Sequence, residues 1–118
     1  MPDRFNDIAA VIATKDYAAA RSWYVRVIGR EPDLEPIEGV GEWQIAATAW
    51  LQLAEDHDRA GKTAVRFGVD DLAAQIAALH AEDIETGELM VIADMVKVVD
   101  VADPDGNEVS FVQDLRAE

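Results

Sequence analysis

Asp103-Pro104-Asp105-Gly106-Asn107-Glu108-Val109-Ser110-Phe111-Val112-Gln113 reads as a turn followed by a strand. Pro104 presets φ for a turn, Gly106 accepts a positive φ, and Asp103, Asp105 and Asn107 can bond their own backbone. From Glu108 onward the residues alternate. Val109 and Phe111 point to one face; Glu108, Ser110 and Val112 point to the other. Met95–Ala102, just before the turn, is valine-rich as a strand should be. The segment is therefore predicted to be a β-hairpin that closes a sheet near the C-terminus.

Outward from the hairpin, composition narrows the choices. The 118 residues suit one domain, and half of them are apolar, which argues against disorder. There is no cysteine, so disulfide and thiolate chemistry are excluded. Ten basic against 24 acidic residues leave a net charge of −14. That balance speaks against nucleic acid, whose binding depends on neutralising phosphates, and against anionic membrane surfaces. Met1–Asp7 shows no basic region leading into a long apolar run. The expectation is a cytoplasmic protein with no signal peptide and no membrane span.

In chain order, Ile8–Ala13 is a short apolar run expected to be a buried strand. Asp16 is placed to cap a helix in which Ala20, Trp23, Tyr24, Val27 and Ile28 recur at helical spacing, and Gly29 marks its end. Residues 31–41 hold two prolines and two glycines, predicting a broken edge strand and a loop. Glu42–Ala47 and Ala49–Ala54 read as strands, and Glu55–Lys62 as a polar linker. Thr63–Val69 reads as a strand. Asp70 or Asp71 caps a second helix that buries Leu72, Ile76 and Leu79. Ile84–Ile92 is expected to be a strand interrupted at Thr86-Gly87. The order is thus β-α-β-β-β twice, an internal repeat. Asp16-Tyr17-Ala18-Ala19 matches Asp71-Leu72-Ala73-Ala74, and Trp50–Asp56 resembles Glu108–Asp114.

These features together resemble the vicinal oxygen chelate superfamily, which includes glyoxalase I, extradiol dioxygenases, methylmalonyl-CoA epimerase and bleomycin-resistance-type binding proteins. The resemblance rests on Asp16, Trp23-Tyr24 and Gly29 in the first half, Phe67-Gly68-Val69-Asp70-Asp71 in the second, and the closing Asp103–Asn107 turn. It implies an α+β fold. Two βαβββ modules would form a curled mixed sheet around a cleft, with helices on the outer face. One domain would span the chain, with module one over about 8–56, a linker over 57–62 and module two over about 63–114. It also implies a homodimer.

Metal-using members of the superfamily carry His, Glu or Gln ligands on the first and last strands of each module. The corresponding positions here are Ala9, Gln52, Ala64 and Ser110. Alanine cannot coordinate, and only Gln52 is a good donor. His57 falls in the linker and His80 near the end of the second helix. No metal and no cofactor is expected.

Alternation then predicts the cleft lining. With Leu51, Leu53, Val65, Phe67, Val109 and Phe111 buried, the opposite face carries Trp50, Gln52, Arg66 and Ser110. Trp50 could stack on a planar ligand, and Arg66 could hold a carboxylate or phosphate. Alternatively, Arg66 pairs with Asp100 or Glu108 and closes the cleft. Trp43, Met90 and Met95 are weaker rim candidates. The expected ligand-binding residues are Trp50, Gln52, Arg66, Ser110 and Trp43, with no catalytic residue assigned. The sequence therefore points to a metal-independent small-molecule-binding protein. Its rivals are a metal-independent isomerase or lyase, with Asp100 the nearest candidate base, and a non-catalytic module whose cleft Trp50 fills.

Overall fold

The computed structural model describes residues 4–116, so the first three residues of the N-terminal stretch lie outside it. The first module comprises β1 (Ile8–Thr14), α1 (Tyr17–Ile28), β2 (Val40–Ala46) and β3 (Ala49–Glu55). The second comprises β4 (Ala64–Gly68), α2 (Leu72–Ala81), β5 (Met90–Ile92), β6 (Val96–Ala102) and β7 (Glu108–Asp114). The sheet is divided in two, a three-stranded sheet in the order β1-β3-β2 and a four-stranded sheet in the order β4-β7-β6-β5. In each module the first strand lies parallel to the last, and the remaining pairs are antiparallel. This is the α+β, paired-module arrangement expected. No helix among the described residues is long and apolar enough to cross a membrane.

Local chemistry sets the helix ends. The Asp16 side chain accepts the Ala19 N–H at 3.2 Å, and Gly29, at φ 90°, sends its N–H back to the Val25 carbonyl at 2.8 Å. In α2 the cap is Asp71, whose carboxylate accepts the Ala74 N–H at 3.1 Å. Arg26 of α1 donates to the Glu82 carbonyl at 2.7 Å, tying the two helices together over one side of the sheets. Beneath them one buried cluster runs through both modules, including Tyr24, Trp43, Leu53, Leu72, Val99 and Phe111.

Two expected strands are shorter than the sequence suggested. The edge strand within residues 31–41 is reduced to a single bridge, Leu34 to Glu42. Pro32 and Pro36 flank that bridge and supply no N–H to extend it. In Ile84–Ile92 only Met90–Ile92 forms a strand, while Gly87 makes one bond, N–H to the Asp100 carbonyl at 2.8 Å.

The Asp103–Asn107 turn does more than reverse the chain. Asp103 Oδ1 accepts the N–H groups of Asp105 and Asn107, both at 2.9 Å, and Oδ2 accepts the Tyr24 hydroxyl at 2.7 Å and Asn107 Nδ2 at 2.8 Å. Burial, and next the Asp103 carboxylate, push the Tyr24 hydroxyl far above its ordinary pKa, so it stays a donor. Asn107 is fully buried. Its Nδ2 also donates to the Ala13 carbonyl of β1 at 2.8 Å. Its Oδ1 accepts the N–H groups of Gly61 and Thr63 and the Thr63 hydroxyl, at 2.9, 3.0 and 2.7 Å. One amide thus joins the closing turn, the linker and the first strand.

The segment before β2 is held to α1 by charge. Tyr17 donates to Glu35 at 2.7 Å, and Arg21 pairs with Glu31 at 2.6 Å and Glu35 at 3.0 Å. Burial first, and the Glu35 carboxylate next, push the Tyr17 hydroxyl up to about 12. Gly41 lies directly beneath that hydroxyl, and a Cβ there would overlap it.

Asn107→Ala leaves the Ala13 carbonyl and the amides of Gly61 and Thr63 without their partner and is expected to cost roughly 3–5 kcal/mol. Tyr24→Phe, which removes one bond to a carboxylate, should cost about 2 kcal/mol. Urea unfolding reads both, and a smaller loss for Asn107→Ala than for Tyr24→Phe would contradict the central role of the amide. Gly41→Ala should cost about 1–3 kcal/mol through overpacking. In a Tyr17→Phe background the same change should cost measurably less, as a double-mutant cycle would show.

Candidate functional site

The two modules meet along β1 and β4, and hydrogen bonds among the described residues tie the seam at one end. There the Ala13 N–H donates to the Thr63 hydroxyl at 3.2 Å, Asn107 reaches the Ala13 carbonyl, and the Lys15 N–H donates to Asp105 Oδ1 at 3.0 Å. No ladder joins β1 to β4 among the described residues. Beside these strands lies a cavity of about 280 Å³. Ile8, Ala9 and Trp50 line it from the first module; Val65, Arg66 and Phe67 line it from the second. A second cavity of about 290 Å³ lies by Val27, Val69 and Phe111, and shares Ile45 and Phe67 with the first. The ring of Phe67 stacks on Phe111 with centroids 5.5 Å apart, which fixes the wall between them.

Strand register explains how Trp50 reaches the seam from β3. Its partner on β1 is Ala9, whose methyl group leaves room above the strand. Trp50 is half-buried, whereas Trp23 and Trp43 belong to the core. Arg66 is exposed. Among the described residues it forms no ion pair, so the closure by Asp100 or Glu108 weighed from the sequence is not seen. Trp50 and Arg66, distant in sequence, therefore line the same cavity.

The other expected residues lie elsewhere. Gln52 and Ser110 sit on the open face, but each is already engaged by a carboxylate on the neighbouring strand. Gln52 Nε2 donates to Glu42 at 2.7 Å, and the Ser110 hydroxyl donates to Asp100 at 2.7 Å. Gln52 with Glu42 and Ser110 with Asp100 occupy equivalent places in the internal repeat, each pair opposed in register. Alternation along single strands missed Glu42; applying the repeat to Asp100 would have found it. Trp43, expected at the rim, is instead wholly buried. It stands opposite Leu51, packs near Tyr24 at 6.3 Å between centroids, and donates its indole N–H to the Arg30 carbonyl at 2.9 Å. Met90 and Met95 are exposed, well along the second sheet from the cavity.

The residues present do not fit a catalytic metal. The four positions that would supply ligands hold two alanines, a serine bonded to Asp100 and a glutamine bonded to Glu42. Among the described residues no three His, Cys, Asp or Glu side chains converge. His57 stands exposed by Glu55, and His80 faces Thr86 at 3.2 Å, both away from the seam.

The fold and part of the sequence are shared with known structures. A glyoxalase/bleomycin resistance protein from Catenulispora acidiphila superposes with a TM-score of 0.84 at 30% identity, covering 91% of this chain and 96% of that one. Lactoylglutathione lyase from Agrobacterium tumefaciens gives 0.78 at 18% identity, covering 96% of each chain. A virulence protein from Salmonella typhimurium gives 0.72 at 16% identity, covering 96% of this chain and 98% of that one. The last two show the fold alone. The sequence matches no protein-family model and no curated protein.

Proposed function

Since the chain belongs to the glyoxalase/bleomycin-resistance family of the vicinal oxygen chelate superfamily, we propose that it binds a small organic molecule in the seam between its modules, without a resident metal. The observation that supports this reading is the cavity that Trp50 and Arg66 both line. Its volume suits a ligand of one or two rings, and its walls are apolar apart from that one cation, the usual make-up of a small-molecule site. Trp50 lines this space without filling it, which disfavours the filled-cleft module. No acid or histidine lines the cavity, which disfavours proton-transfer chemistry there. Asp100, the base considered from the sequence, is separated from Arg66 by Ser110 in the strand register.

The protein is further proposed to act as a homodimer. The sheet face opposite the helices has no cover, and it exposes Val11, Met90 and Ile92. A second copy would bury such side chains.

A thermal-shift screen with planar cations, aromatic carboxylates and acyl-CoA thioesters, each with and without divalent metals, tests the reading. A ligand at a hundredfold excess over its Kd should add about 2.7 kcal/mol of stability. The rise should not depend on metal, and the protein should sediment as a dimer. Stoichiometric zinc, nickel or iron in protein purified without chelators, or stabilisation by metal alone, would defeat the metal-free assignment.

A further inference from the structure

The charge of the ligand follows from how the cations of this chain are used. Arg21, Arg30, Arg59 and Arg116 are each paired with a carboxylate, and Arg26 donates to a helix-end carbonyl. Arg4 lies over the Phe5 ring, 5.7 Å from its centroid. Among the described residues Arg66 is the one arginine with none of these engagements, in a chain with 24 acids to offer. Arg66 lines two cavities: one of about 420 Å³ that also holds Asp70, Asp114 and Arg116, and the seam cavity, which has no acidic side chain. A cationic ligand would find no counter-charge there. The net charge of −14 does not reverse this conclusion, because salt screens charges beyond about 8 Å and the nearest group decides. Trp50 lines the same cavity as Arg66, with Ile8, Val65 and Phe67 among its apolar residues.

From this juxtaposition we propose that the seam cavity is a site for an aromatic carboxylate, its carboxylate held by Arg66 and its ring lying against Trp50. The inference rests on the small-molecule reading above and adds the chemical class and the orientation of the ligand. A guanidinium presents two parallel N–H donors to a carboxylate, and an indole face suits a planar ring. The alanine at position 9 provides the space that lets the indole and the guanidinium share one cavity.

Three probes with one ring system separate the terms: 2-naphthoate, 2-naphthamide and 2-naphthylmethylamine. Titration calorimetry on the full chain should show 2-naphthoate binding roughly tenfold or more tightly than the amide, with the amine weakest. Arg66→Gln should remove that advantage and leave amide binding unchanged. Trp50→Ala should weaken carboxylate and amide alike. Unchanged amide affinity also shows that Arg66→Gln is folded. Equal affinity for acid and amide, or undiminished carboxylate binding by Arg66→Gln, would overturn the anion assignment and leave the small-molecule reading standing. Preference for the amine would overturn it in the same way. Failure of all three probes would overturn the aromatic class, and the wider thermal-shift panel would then decide the binding reading separately.

Discussion

The structure depends on a single buried amide. Asn107 makes hydrogen bonds to the turn that contains it, to the linker and to the first strand, using both ends of its carboxamide. A polar side chain at full burial is tolerable only when its bonds are made. Here several are made to groups far apart in sequence, so full satisfaction of the Asn107 amide requires the modules to be brought together. The buried Asp103 carboxylate adds Tyr24 of α1 to the same network. Sheet, helix and linker thus meet at one polar point inside an otherwise apolar core.

That arrangement explains what could be read from the sequence. Caps and turns are local chemistry, so Asp16, Gly29 and the Asp103–Asn107 turn were legible from their neighbours, and the second cap was narrowed to Asp70 or Asp71, of which Asp71 caps. Strand faces were legible where alternation was clean, as in Ala49–Glu55 and Glu108–Asp114. Trp43 was not, because its face depends on pairing across the strand. It stands opposite Leu51, and a bulge between Gln44 and Ala46 breaks the alternation just beyond it. The lost edge strand was half legible, since the prolines were visible but the surviving bridge was not. In the site, Trp50 and Arg66 could be assigned to an open face. That they share one cavity could not be read, because it depends on where the seam is tied.

Three of the positions weighed as metal ligands from the family resemblance, Ala9, Gln52 and Ser110, make other contacts here. Ala9 makes room for Trp50. Gln52 and Ser110 donate to Glu42 and Asp100, so each module buffers one carboxylate with one neutral donor on the adjacent strand. The two halves keep this relation in parallel, which shows that the repeat extends to side-chain pairing and not only to strand order.

Where the halves differ, the repeat sets Trp50 against Glu108 and Arg66 against Val11. A cavity between two identical halves would look the same to a molecule turned end for end, and its occupant would sit both ways with equal energy. Here the first module contributes an indole, and the second contributes a cation beside a phenyl ring. The strand order repeats while the lining does not, so a molecule bound as proposed would have one preferred heading. Neither Trp50 nor Arg66 has a counterpart of its own kind in the other half, so the loss of either could not be made good by the repeat.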